Sequence, residues 1–309
     1  MKRFLFLGLV VLPQLLFAQS SEDLFKEGQR RYTEKNYAEA ETFFNKAITA
    51  NKDSAKYYVM RGKTYFNLEK YKEAFRDYCT AIDLDKGNVE AYLLRADFLL
   101  NVNKPYESIK DANMAIMLTH VDTVKRDGYL NNGMARLQVR DFEGAFNDLM
   151  KAYSYDSLDP AIFNEMGHVF MEQGDTTKAI YYARLSFKLD TSDVVPLANI
   201  AFIRSSAGNY KDAMPYFDMV IKRKPLAYNY NNRGYARFKL GDIKGALDDI
   251  NRSIKMDPTN SYAYRNRALV YIEMNKMKKV CADLNKAKEL GFKQQYGNEV
   301  DELQKKYCK

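Results

Sequence analysis

Apolar residues recur along this chain at spacings of three and four residues, the pattern of a helix that buries one face. In one clear example, this spacing predicts two short helices, Lys56–Leu68 and Tyr71–Leu84, joined by a tight turn. Small residues such as Gly62 lie among the larger apolar ones. The chain also has few β-branched runs and only 15 Gly and 7 Pro. All these features favour helix, so we expect an all-α chain.

Small residues recur along the whole sequence at a nearly constant interval. One series is Gly28, Gly62, Ala96, Gly133, Gly167, Ala201, Gly234 and Ala268, with steps of 34, 34, 37, 34, 34, 33 and 34. Two further series have the same steps: Ala40, Ala74, Ser108, Ala145, Ala179, Ala213, Ala246 and Val280, and Ala47, Ala81, Ala115, Ala152, Ser186, Val220, Ser253 and Ala287. Small residues at fixed positions let two helix backbones approach closely. One helix pair cannot bury its own apolar face, so the repeats are expected to stack.

The three series divide the sequence into eight helix pairs. The predicted units are 21–54, 55–88, 89–122, 126–159, 160–193, 194–226, 227–260 and 261–294. Between the two helices of a pair, Gly174, Gly208 and Gly241 suit the left-handed conformation that ends a helix. Residues 295–309 are predicted to form a final capping helix, with Val300, Leu303 and Tyr307 on one face.

The repeat resembles the tetratricopeptide repeat (TPR) family over residues 21–294. The matching positions are Tyr58, Gly62, Tyr65, Tyr71, Ala74, Tyr78 and Ala81 in the second unit, and Tyr230, Gly234, Ala246, Ser253 and Pro258 in the seventh. The resemblance implies a right-handed α-solenoid of about eight helix pairs plus a C-terminal capping helix. Departures occur at Pro105 and Ser108, at the 37-residue step, where irregular packing is expected, and at Val280 and Phe292.

The family resemblance also implies a binding surface, because the first helices of TPR pairs line a concave groove that holds peptides or partner helices. The corresponding residues are Asn164, His168, Phe202, Tyr228, Asn231, Tyr235, Phe238, Tyr262, Arg265, Leu269 and Ile272. Aromatic rings would supply contact area, and amides and a guanidinium would supply polar recognition. Several of these tyrosines could instead pack between repeats. Some TPR domains grip a carboxylate with a Lys, but Asn231 or Arg265 occupies that place here.

The N-terminal segment has the order of a secretory signal peptide. Lys2 and Arg3 precede an apolar stretch from Phe4 to Phe17, and small residues follow, so cleavage after Ala18 or Ser20 is predicted. The apolar stretch is shorter than the roughly 20 residues of a membrane-spanning helix. A permanent anchor is therefore the weaker interpretation, and no later segment is apolar enough to span a membrane. We expect residues 1–20 to be removed and the protein to be periplasmic or extracellular.

Charge and candidate chemistry give no indication of catalysis. The net charge is +8, and no run of five basic residues suggests a nucleic-acid surface. The two histidines, His120 and His168, are far apart in sequence, and neither HExxH nor CxxC occurs. Glycines occur singly, so no phosphate-binding loop is predicted. We therefore expect no enzyme activity, no metal and no cofactor. RNA-binding helical repeats of similar length are disfavoured by the export signal.

The sequence has three cysteines. Cys281 lies on the last repeat and Cys308 near the end of the capping helix, which should fold back on its predecessor. Export permits disulfides, so we predict that these two are bonded, although two separate thiols are the alternative. Cys79 has no evident partner.

The predicted function is protein–protein interaction, with protein or peptide partners and no nucleic acid. The chain would be a scaffold of the cell envelope, organising a complex there. The alternative is a periplasmic chaperone-like accessory that escorts exported clients during secretion or assembly. A stoichiometric partner would support the first, and many weakly bound clients would support the second.

Overall fold

The computed structural model describes residues 20–308, so the predicted signal peptide, residues 1–20, lies outside the described residues apart from Ser20. The described residues form α-helices joined by short turns, with no strand among them, which confirms the all-α class. Ser20 caps the first helix, since its hydroxyl accepts a hydrogen bond from the amide of Asp23. Within this described range, none of the helices combines the length and apolar character needed to cross a membrane.

The described chain divides into two compact units, the first ending at Ala135 and the second beginning at Arg136. The first unit contains α1 Ser21–Thr33, α2 Tyr37–Ala50, α3 Ala55–Asn67, α4 Tyr71–Leu84, α5 Val89–Asn101, α6 Pro105–Leu118 and most of α7 Asp122–Gln138. The second contains α8 Phe142–Tyr155, α9 Pro160–Glu172, α10 Thr176–Leu189, α11 Val195–Ser206, α12 Tyr210–Arg223, α13 Ala227–Lys239, α14 Ile243–Met256, α15 Ser261–Glu273, α16 Met277–Glu289, α17 Phe292–Tyr296 and α18 Glu299–Tyr307. Within each unit, consecutive helices pack as antiparallel-type hairpins, such as α3 with α4 and α13 with α14.

The small residues of the repeat lie where helices touch. A Cβ atom added at Gly62 would lie 2.6 Å from a ring carbon of Tyr78, and one at Gly234 would lie 2.7 Å from Cγ1 of Ile250. Ala74 is fully buried. Ser108, which departs from the repeat pattern, is also fully buried, and its hydroxyl donates a hydrogen bond to the carbonyl of Ala96. The close packing therefore explains why these positions stay small.

Four hairpins share a buried ion pair between residues 16 positions apart. In each, the guanidinium of the first helix makes two hydrogen bonds to the carboxylate of the second, with distances of 2.6–2.8 Å. The pairs are Arg61–Asp77, Arg95–Asp111, Arg233–Asp249 and Arg267–Asp283. In the hairpin α9–α10 the equivalent positions are Met166 and Tyr182. The same pair of repeat positions is therefore filled by an ion pair in four hairpins and by uncharged side chains in the hairpin α9–α10.

The turn inside each hairpin has one residue in the left-handed region. Gly174, Gly208 and Gly241 have φ of 80–82° there. The same turn position in the other hairpins carries a residue with a side chain, at φ of 55–61°: Lys35, Glu69, Asn103, Arg140 and Asn275. All these turns therefore share the left-handed residue, but only three of them have glycine at that position.

The extra residues of the 37-residue step lengthen one helix. α7 has 17 residues against 13 in α5, and it begins at Asp122. Near its start, Gly128 approaches Ile116 of α6 so closely that an added Cβ would lie 2.6 Å from Cγ1 of that side chain.

The C-terminal segment forms two helices where one was predicted over 295–309. Gly297 has φ of 87°, a left-handed value that ends α17, and the helix begins again at Glu299. Val300 is buried beside Leu303 and Tyr307 in one cluster with Leu284 of α16. Cys281 and Cys308 are joined by a disulfide that ties α16 to the end of α18. Phe292 of α17 is fully buried in the same cluster.

Candidate functional site

The ten candidate groove residues from Asn164 to Leu269, and Ile272 after them, lie in the second unit, on the first helices of their hairpins. α9 carries Asn164 and His168, and α11 carries Phe202. The others lie on α13 and α15: Tyr228, Asn231, Tyr235, Phe238, Tyr262, Arg265 and Leu269. Their exposure differs widely, from 3% for Asn231 to 51% for Phe202.

Three of these residues, Phe202, Tyr235 and Tyr262, line one pocket of about 300 Å³. Tyr210 and Phe217 of α12 complete its aromatic wall. The polar lining comes from Ser205, Ser206, Asn232 and Asn266. Phe202 is 51% exposed, so a large apolar surface faces solvent at the mouth of the pocket. Aromatic area beside a few polar groups is characteristic of ligand and peptide sites.

Amides of neighbouring first helices bond to each other along this surface. The side-chain NH₂ of Asn266 donates to Oδ1 of Asn231 over 2.9 Å, and both residues are buried. Asn231 in turn donates to Oδ1 of Asn232. Because Asn231 is only 3% exposed, it supports the pocket lining and does not itself face a partner.

Arg265 is also buried, with 7% exposure. Its guanidinium lies 5.5 Å from the ring centre of Tyr235 and 5.3 Å from that of Tyr262. One nitrogen donates to Asn266, and another bonds to the carboxylate of Glu299 on α18. The ion pair with Glu299 more than offsets burial and raises the pKa of Arg265. The sequence assigned this guanidinium to partner recognition, but the C-terminal helix already occupies it.

His168 belongs to a second polar cluster on α9 and α11. Its Nδ1 lies 3.2 Å from a carboxylate oxygen of Glu165, and its Nε2 lies 2.8 Å from the amide nitrogen of Asn199. Asn199 also donates to Asn164. Burial disfavours the charged imidazole, but the hydrogen bond and charge of Glu165 outweigh it and raise the pKa of His168. The arrangement positions His168 by hydrogen bonds, and no group of three side chains that could ligate a metal ion occurs within residues 20–308.

The remaining candidates divide between solvent and core. Tyr228 is 49% exposed at the start of α13 but does not line the pocket. Phe238 packs against a buried cluster that contains Ala246 and Ile250. Leu269 is half-buried and also lies outside the pocket lining. Tyr262 stacks on Phe292, and burial raises the pKa of its phenol.

Several residues of this surface were missed by sequence reasoning: Asn199, Ser205, Ser206, Tyr210, Phe217, Asn232 and Asn266. A signal for some of them is present in the sequence. Asn164 and Asn199 are 35 residues apart, as are Asn231 and Asn266, and each pair is hydrogen-bonded. Amides on first helices that are 35 residues apart, one more than the repeat step of 34, therefore mark contacts between neighbouring repeats.

Comparison with known proteins agrees with the hairpin geometry. A family model described as tetratricopeptide repeat matches residues 55–88 and 227–260. The chain carries tetratricopeptide repeats. The two matched segments coincide with the hairpins α3–α4 and α13–α14, both of which have the buried Arg–Asp pair.

Several known proteins are similar in sequence to part of this TPR chain. Sperm-associated antigen 1 of Mus musculus is 35% identical over 80 residues, which are 26% of this chain and 9% of that protein. TPR repeat-containing protein MJ1428 of Methanocaldococcus jannaschii is 25% identical over 150 residues, which are 48% of this chain and 20% of that protein. The chain thus spans about a tenth of the length of the first curated relatives that it matches.

Solved structures resemble the TPR chain more extensively. A tetratricopeptide repeat protein from Parabacteroides merdae has a TM-score of 0.67 at 16% identity, covering 82% of this chain and 99% of that one. PilW, a type IV pilus biogenesis factor, has a TM-score of 0.61 at 19% identity, covering 66% of this chain and 94% of that one. At such identities the likeness concerns the fold alone.

Proposed function

We propose that this chain is a protein–protein interaction scaffold of the cell envelope, which binds a peptide or protein segment on the first helices of its second unit. The observation that carries the proposal is the pocket formed by Phe202, Tyr235 and Tyr262. Its rings offer apolar area that is already rigid, and such anchors dominate the energy of many interfaces. TPR hairpins commonly serve protein recognition, which agrees with this use of the surface.

Free polar groups beside the rings suit a peptide backbone. Within the described residues, the NH₂ group of Asn232 and the hydroxyls of Ser205 and Ser206 have no hydrogen-bond partner in the protein. An extended segment brings its own carbonyl and amide groups, which could bond to these side chains. The combination of rings and unused polar groups therefore favours a peptide over a purely apolar ligand.

Location in the envelope is supported by two features. The first 20 residues have the order of a signal peptide, and Ser20 would remain as the helix cap if cleavage followed Ala18. The Cys281–Cys308 disulfide suits an oxidising compartment outside the cytosol. We propose that the mature protein works in the periplasm or outside the cell.

Photo-crosslinking tests the proposed surface. A photoreactive phenylalanine analogue at Phe202 should capture one protein in stoichiometric yield from native envelope extract. The matched control is the same analogue at Tyr181, an aromatic residue of α10 that is 57% exposed. Many substoichiometric products at Phe202 would instead favour the chaperone-like alternative.

The captured partner then permits an affinity measurement. Tyr235→Ala and Asn232→Ala should each weaken its binding by roughly tenfold or more, because they remove an aromatic anchor and a polar contact. Equal affinities for both variants and the original chain, or crosslinking at Tyr181 in place of Phe202, would contradict the proposal.

A further inference from the structure

The first unit contains a pocket that the predicted groove did not include. It lies among α1, α3 and α5, the first helices of three consecutive hairpins, and has a volume of about 140 Å³. Its lining consists of Tyr32, Lys63, Phe66, Asn67, Tyr78, Leu94 and Asp97. Pockets for small organic ligands are typically about 300–1,000 Å³, so this one has room for a single side chain.

The pocket uses the same repeat positions as the pocket of the second unit. By the repeat interval, Tyr32, Lys63 and Leu94 correspond to Ser205, Tyr235 and Asn266, which line the other pocket. Two further positions differ in chemistry. Tyr78 corresponds to Ile250, and Asp97 corresponds to Leu269. The first unit therefore places a hydroxyl and a carboxylate where the second has aliphatic side chains.

Tyr78 of α4, the second helix of its hairpin, also lines the pocket. Its ring crosses Gly62, where no Cβ blocks it, and the residue is only 2% exposed. Among the described residues, its hydroxyl has no hydrogen-bond partner. A phenol hydroxyl can donate and accept, so this unpaired group can gain a hydrogen bond from a ligand that fills the pocket it lines.

Asp97 is a second acceptor without a partner. Its side chain makes no hydrogen bond or ion pair to any other described residue, and the residue is exposed to solvent while it lines the pocket. The surrounding protein nevertheless desolvates the carboxylate and raises its pKa. Burial is the main cause of the raised pKa of Tyr78, and the negative charge of Asp97 adds to it. A cation in the pocket would relieve both effects.

The other polar groups of the pocket are already paired. Lys63 donates to the carboxylate of Glu90 over 3.0 Å, so its charge is committed to that partner. Asn67 donates to the hydroxyl of Tyr32 over 3.1 Å. The groups that remain available are the hydroxyl of Tyr78 and the carboxylate of Asp97. Together they suit a hydrogen-bond donor with a positive charge.

We propose that this pocket is a second recognition site, which receives a Lys or Arg side chain of a partner protein. The cationic head pairs with Asp97 and donates to the hydroxyl of Tyr78. The aliphatic stem packs on the rings of Tyr32 and Phe66, of which Phe66 is 38% exposed. Ion pairing and contact with aromatic faces both favour a cation in such a site. The site does not depend on the pocket of the second unit.

Titration of the purified chain with N-acetyl-arginine amide tests the site. The ring NMR signals of Tyr32 and Tyr78, assigned with Tyr→Phe variants, should shift saturably with a Kd on the order of 1 mM. N-acetyl-citrulline amide, which has nearly the same shape but no charge, should bind at least roughly tenfold more weakly. Saturable shifts for neither probe, or equal affinities for the two, would overturn the proposal.

Variants connect the binding to Asp97. Asp97→Asn should weaken arginine-amide binding by roughly tenfold, whereas Asp97→Glu should retain most of it. The matched control is Asp83→Asn, which changes an exposed carboxylate of α4 paired with Lys86 and should leave binding unchanged. Circular dichroism establishes that each variant is folded. Unchanged affinity in folded Asp97→Asn would assign the shifts to another place and refute the site.

Discussion

The buried Arg–Asp pairs show how one residue position in this TPR chain can be stabilised in two ways. Asp77 is 3% exposed and receives two hydrogen bonds from Arg61, so the carboxylate is fully partnered. Met166 and Tyr182 fill the equivalent place in the hairpin α9–α10 without any charge. Desolvation of a buried ion pair offsets much of its Coulomb attraction, and apolar residues of similar size can therefore replace it.

Breaking the pair should cost more than replacing it. Asp77→Asn leaves the Arg61 guanidinium, whose side chain is 18% exposed, without its anionic partner. We expect this to lower the free energy of unfolding by about 2–4 kcal/mol. The double variant Arg61→Met with Asp77→Tyr, which copies the α9–α10 solution, should lie within about 2 kcal/mol of the original chain.

Urea unfolding followed by circular dichroism measures both values, and Asp83→Asn at the surface serves as the control, with an expected change within about 0.5 kcal/mol. A double variant less stable than Asp77→Asn alone would show that the two solutions are not interchangeable.

The sequence was least informative about the contacts of single residues in the candidate site. Asn231 and Asn266 are hydrogen-bonded 35 residues apart, one residue beyond the repeat step of 34, and this contact could have been predicted from the same spacing of Asn164 and Asn199. The burial of Arg265 could not, because its partner Glu299 lies in the segment after the last repeat. Where the periodicity ends, sequence spacing no longer specifies neighbours.

At the scale of elements, the helices followed the periodic pattern closely, and the cap did not. The predicted helices Lys56–Leu68 and Tyr71–Leu84 correspond to α3 and α4 with shifts of at most one residue. The capping segment has only one copy, so no second example revealed that Gly297 would interrupt it. The apolar face of Val300, Leu303 and Tyr307 was still recognisable, because it depends only on helical spacing.

The disulfide should determine whether α18 stays on α16. Cys308→Ser removes the bond that closes a 27-residue separation, and we expect a loss of about 3 kcal/mol in the stability of this C-terminal region. Amides of α18 should then exchange faster in hydrogen-exchange mass spectrometry, because the helix has only nine residues.

Reduction of the original chain should produce the same change in α18. Cys79→Ser is the control, since Cys79 is the free cysteine of the described chain, and it should leave the exchange of α18 unaltered. Unchanged exchange in α18 after both reduction and Cys308→Ser would mean that packing alone holds the helix.

At the scale of the whole molecule, repetition explains why the fold was easier to predict than the site. Within each compact unit the hairpins pack on their neighbours, and a sequence pattern seen eight times identifies the architecture even where single copies deviate. Recognition chemistry depends instead on the positions where copies differ, such as Asp97 against Leu269. Such differences carry no periodic signal, and only the three-dimensional arrangement shows which of them share a pocket.

Backbone strain in the left-handed turns makes the protein less stable to heat than its fold allows. Lys35, Glu69 and Arg140 adopt a backbone conformation that is unfavourable for residues with a Cβ. Replacement of each by glycine should raise the free energy of unfolding by about 0.5–1 kcal/mol, since the relief of strain exceeds the added flexibility of the unfolded chain. Calorimetry should show melting temperatures that rise with each replacement, whereas Gly174→Ala should lower it. Heat resistance could thus be engineered without touching either pocket at the turn of Arg140, which lines neither of them, and a flat response would show that the turns carry no strain.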